Sequence, residues 1–63
     1  MKAQKIINEI ERRIVSLEYF EKSKIEEIIN ENDSSFWLDE IMKLNSFAGV
    51  DEVCVEEILS QYE

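Results

Sequence analysis

The residues that could carry chemistry are few, and each stands alone. Cys54 is the one thiol, and histidine is absent. Without histidine there is no imidazole general base, no His-containing triad and no His-based zinc site. A reactive thiol needs cations beside it; Cys54 stands between Glu52 and Glu56, and is expected in the core as a small hydrophobe. Glu18 and Glu21, three residues apart, could share a divalent cation on a helix, but such a site needs further inward carboxylates. Asn30-Glu31-Asn32-Asp33-Ser34 has the oxygen content of a calcium loop. Its sixth position is not glycine and its twelfth is Ile41, not glutamate, so the loop chemistry fails. No glycine-rich loop is present to cradle phosphate. The sequence therefore predicts a protein that is not an enzyme and uses no metal or cofactor.

Two local resemblances reach short stretches only. Asp33-Ser34 opening an acidic helix resembles the attachment site of an acyl carrier protein. The flanking glycine and leucine of that motif are replaced by Asn32 and Ser35, and a plain helix N-cap explains the pair. The stretch from Ser23 to Asn45 has helix-turn-helix spacing. Its second helix carries Asp39, Glu40 and only Lys43, the wrong sign for a nucleic-acid groove. No family assignment follows.

What remains is the set of elements that position these side chains. With no proline and a single glycine, Gly49, the chain reads as all-α. Ala3, Ile7, Ile10, Ile14 and Leu17 recur at four- and three-residue steps, with Ile6 beside them, which predicts a helix over 3–20. A continuous helix from Ala3 to Glu31 is the rival, since no glycine or proline forces a break, but continuing that register places Glu21 on the apolar face, which favours a break nearby. Ser23 and Glu26 match a capping box and predict a second helix over 23–31 with Ile25, Ile28 and Ile29. A third helix is expected over 34–46, with Trp37, Leu38, Ile41, Met42 and Leu44 on one arc. Gly49 can take the left-handed conformation that ends it. Asp51 is an N-cap for a fourth helix over 51–62, whose stripe is Val55, Ile58, Leu59 and Tyr62. Val50 and Val55 fit a hydrophobic staple around that cap. The prediction is one domain over 1–63, a small bundle of three to four helices.

At 63 residues such a bundle is marginal, and one cysteine cannot form an internal disulfide. The start, Met1-Lys2-Ala3-Gln4-Lys5, leads into an amphipathic pattern instead of an apolar signal core. With the lone cysteine, this predicts a cytoplasmic protein.

Charge is the strongest functional signal. The net charge is −8. Residues 1–24 hold six cations and four acids, a balance of +2, whereas residues 25–63 hold only Lys43 against eleven acids, a balance of −10. Acids three or four residues apart on a helix repel by a few tenths of a kcal/mol, roughly, per pair. One reading of that repulsion is a surface made for a basic partner, since carboxylates can stand in for phosphates. The other is a solubilising face. The sequence thus predicts an acidic protein-binding inhibitor or regulator. It would dock on a basic surface of another protein, such as one that handles nucleic acid, and would touch no nucleic acid or membrane itself. Its general composition is similar to that of small phage and mobile-element inhibitors, antitoxins and immunity proteins. The expected contact residues are Phe36, Asp39, Glu40, Glu52, Glu56 and Glu57, with Phe36 as apolar anchor. Val15, Tyr19 and Phe20 lie off the Ile face and predict a homodimer built on the first helix. The competing function is a self-associating structural module whose acids only solubilise it.

Overall fold

The computed structural model describes residues 1–63 and is all-helical, with four α-helices and no strand. Helix α1 spans Lys2–Arg13, α2 Tyr19–Glu31, α3 Trp37–Met42 and α4 Glu52–Ser60. Two 3₁₀ turns, Ser34–Phe36 and Asn45–Phe47, bracket α3. Helix α1 packs against α2 and α4, and α3 packs against α2 and α4. All four helices thus contribute to one core.

The first helix ends earlier than its apolar periodicity predicts. After Arg13 the chain leaves helical geometry at Ile14, where both Ile14 and Val15 donate to the Ile10 carbonyl. Two consecutive β-branched residues and a serine give this stretch weak helix propensity. Carboxylates then take over the freed backbone groups. Leu17 N donates to Glu11 Oε2 at 3.2 Å, and Glu18 N donates to Glu21 Oε1 at 3.0 Å. The second helix accordingly starts at Tyr19, with Glu18 and Glu21 forming its capping box. Ser23 is an exposed residue inside that helix, so the cap expected there is corrected. The same Glu11 carboxylate also pairs with Lys22 at 3.4 Å, which ties α2 to α1.

The third expected helix is broken into a 3₁₀ turn, a six-residue α-helix and a second 3₁₀ turn. This winding turns Phe47 inward to 1% exposure, a core position that helical periodicity over 34–46 does not identify. Gly49 adopts φ +84°, and Asp51 Oδ1 accepts from Val53 N at 3.0 Å, as the sequence predicts. Half-buried Val50 packs against the core that holds Val55.

The core gathers Ala3, Ile6, Ile7 and Ile10 of α1, Leu17 of the connector, and Ile25, Ile28 and Ile29 of α2. From the second half come Trp37, Ile41, Phe47, Val55, Ile58 and Leu59. A fully buried side chain of this kind contributes about 1.5–3 kcal/mol. Trp37 satisfies its ring N–H by donating to the Asn32 carbonyl at 3.1 Å, and Lys2 Nζ lies 5.5 Å from its ring centroid. Cys54, expected in this core, is exposed instead. At about 100° per residue it lies off the Val55–Ile58–Leu59 stripe.

Candidate functional site

Of the six residues expected to meet a partner, five fall on α3 and α4, two helices that pack on one another, and Phe36 falls in the turn before α3. Phe36 closes the 3₁₀ turn that leads into α3 and is 56% exposed. Asp39 is exposed in the first turn of α3. Glu40 is half-buried and pairs with Lys43 Nζ at 3.1 Å. On α4, Glu52, Glu56 and Glu57 are all exposed. Glu52 lies in the first turn, where the helix dipole favours a negative charge. Glu56 and Glu57 lie beyond that turn and have no cation within ion-pair distance.

This pattern extends through the acidic part of the chain. Of the eleven acids in residues 25–63, only Glu27 and Glu40 are ion-paired, with Lys24 and Lys43. The surface has no pocket, and no group of three or more Cys, Asp or Glu side chains is gathered as a metal site would require. No helix is long and apolar enough to cross a membrane.

The residues expected to form a dimer face are separated by the early end of α1. Val15 is half-buried in the connector and packs against the core. Tyr19 and Phe20 begin α2 and are 84% and 62% exposed. They therefore do not share a face of the first helix, and that placement is corrected.

The polar feature that sequence reasoning missed is Glu21. It is the one buried charged residue, at 1% exposure, and no cation pairs with it. Its Oε2 accepts from Ser46 N at 3.0 Å, and its Oε1 accepts from the Ser46 hydroxyl and from Glu18 N. The Ser46 hydroxyl does most to hold the carboxyl below its ordinary value of 4.5. The Glu18 N–H adds to this, desolvation opposes it, and the Ser46 N–H adds a further lowering. The signal was the spacing Glu21, Ile25, Ile28, Ile29, which puts all four on one face. This also explains the Glu18/Glu21 pair: it caps a helix, with Glu18 exposed and Glu21 committed to backbone and hydroxyl donors.

Comparison with protein-family models, with curated proteins and with solved structures finds no match, so the functional reading rests on this chain's own residues.

Proposed function

We propose that this protein is a non-enzymatic, cytosolic binding protein that inhibits or regulates a basic partner through the acidic surface of α3 and α4. The observation that supports this reading is the unbalanced charge of residues 25–63: eleven acids against Lys43, nearly all exposed and without cation partners. A field of that sign speeds encounter with a cationic surface and repels nucleic acid. A partner that itself handles nucleic acid fits best, because its phosphate-binding groove is already lined with cations. Phe36 supplies an exposed aromatic beside the acids of α3, the kind of anchor that holds a charged encounter in one register.

The test is capture of partners from cell lysate at low and at high salt, with the unsubstituted chain and with a Glu56→Gln, Glu57→Gln variant. The expected result is a basic protein retained at low salt, released at high salt, and retained less by the variant. A partner set that is the same for both chains at low salt sinks the reading and leaves the acids a solubilising role.

A further inference from the structure

We propose that the break between α1 and α2 is a hinge: the two helices join into one, and α1 then completes the core of a second copy in a domain-swapped dimer. The stripe Ala3, Ile7, Ile10, Ile14, Leu17 continues through Glu21 to Ile25 and Ile28 at steps of three or four residues. All of these are buried except half-buried Ile14. No glycine or proline stands in residues 1–48. Polar acceptors make the break instead. The Glu11 carboxylate takes the Leu17 N–H, and Glu18 and Glu21 form the capping box that starts α2. In a joined helix these N–H groups bond to carbonyls four residues back, Glu18 N to Ile14 for example, so no donor is orphaned. Glu21 stays within α2 and keeps both bonds from Ser46.

Length decides what the joined helix must meet. At ~1.5 Å per residue, a helix from Lys2 to Glu31 is about 45 Å long. The longest extent of the monomer is 24 Å. Joining therefore swings α1 out of its own core and uncovers Ala3, Ile6, Ile7 and Ile10, each at 3% exposure or less in the monomer. It also uncovers the surfaces of α2 and α4 against which α1 packs. A second copy in the same state offers that same surface to the freed helix. The exchange is reciprocal, so two chains close the assembly. The contacts regained are those of the monomer, made between chains: α1 on α2 and α4, and Lys2 over the Trp37 ring. Because α1 is already fitted to the vacated surface, a second copy is its occupant. The weak helix propensity of Ile14, Val15 and Ser16, together with the three carboxylates, holds the balance toward the monomer. The acidic surface on α3 and α4 takes no part.

Refolding the full chain from denaturant at about 1 mM tests this. A dimer of twice the 7.5 kDa monomer mass is expected beside the monomer on size exclusion. Ser16→Ala with Glu18→Ala changes two exposed residues, raises helix propensity at the break and removes half of the capping box. It should raise the dimer association constant by about tenfold or more. Ser16→Gly weakens the joined helix and should lower that constant severalfold. Helical spectra check that both variants fold. In dimers of the unsubstituted protein refolded from mixed isotope-labelled and unlabelled chains, NMR contacts between α1 and α4 are expected between chains. X-ray scattering should show a particle at least about 45 Å long. A monomer in all three proteins overturns the proposal. So does a dimer whose α1–α4 contacts stay within each chain, or one that Ser16→Gly strengthens.

Discussion

Glu21 and Ser46, 25 residues apart in the chain, are joined by two hydrogen bonds, from the Ser46 N–H and from the Ser46 hydroxyl, both received by the buried Glu21 carboxylate. The same carboxylate caps the start of α2 through Glu18 N. One side chain thus fixes where the second helix begins and how the turn that delivers Phe47 to the core is held. Replacing Glu21 by Ala leaves these donors without their acceptor. The expected loss is about 1–3 kcal/mol, a fall in Tm of roughly 8–23 °C for a domain of this size. Thermal unfolding by circular dichroism measures it; an unchanged Tm would show that the contact contributes nothing.

The pH dependence follows from the same group. Its folded-state carboxyl is held below the ordinary value of 4.5, by the Ser46 hydroxyl first. Its contribution is therefore fully present above that value. It is lost as pH falls from there through the lower folded-state value. Glu21→Gln is expected to be less stable at neutral pH and to lose less further stability below pH 4.5 than the parent chain. Parallel acid limbs for the two proteins would contradict this.

Gly49 sits at φ +84° with open space where a Cβ would stand. Gly49→Ala therefore tests backbone strain without a steric clash. It should cost about 1–2 kcal/mol, and Gly49→Asn less, since Asn tolerates the left-handed region. Denaturant midpoints of the three proteins give the comparison, and equal midpoints would exclude strain at this turn.

Cys54 is exposed on α4, so a neutral thiol reagent should label it in the native protein within about tenfold of the rate for the unfolded chain. Labelling that waits for global unfolding would return the thiol to the core.

The all-α fold, a bundle of three to four helices and most of the core were readable because Ile and Val recur at helical spacing from Ile6 to Leu59. The helix boundaries were not, and carboxylates are the reason. Glu11, Glu18 and Glu21 end α1 and start α2 by accepting backbone N–H groups, a role in which glycine, proline or serine is the expected marker. Apolar periodicity carries straight through Ile14 and Leu17, so it cannot report a break made by polar side chains. Phe47 was hidden for a related reason: a 3₁₀ turn changes the angular step between residues, and a 100° wheel then places them wrongly. The candidate surface was more legible, because exposure of Phe36, Asp39, Glu52, Glu56 and Glu57 follows from the positions of the buried stripes.

The acidic surface is best tested on α4, not α3. Asp39 and Glu40 lie in the first turn of α3, where the dipole favours them, and Glu40 pairs with Lys43. Neutralising those two would remove stabilising contacts together with repulsion, and a change in affinity would be hard to assign. Glu56 and Glu57 are beyond the first turn of α4 and unpaired, and Glu56 stands four residues from Glu52. Glu56→Gln relieves that like-charge pair, worth a few tenths of a kcal/mol, roughly. The Glu56→Gln, Glu57→Gln protein should therefore melt at or slightly above the parent temperature. If these carboxylates meet a basic partner, its affinity should fall by about fivefold or more for each important residue, and the difference should shrink as salt rises. A solubilising role gives a different pair of results: affinity unchanged at low salt, and precipitation at lower protein concentration. Measuring melting temperature, solubility and partner affinity on the same two proteins at two salt concentrations separates these cases. A variant that is as stable as the parent but binds more weakly only at low salt is the signature of an acidic docking surface.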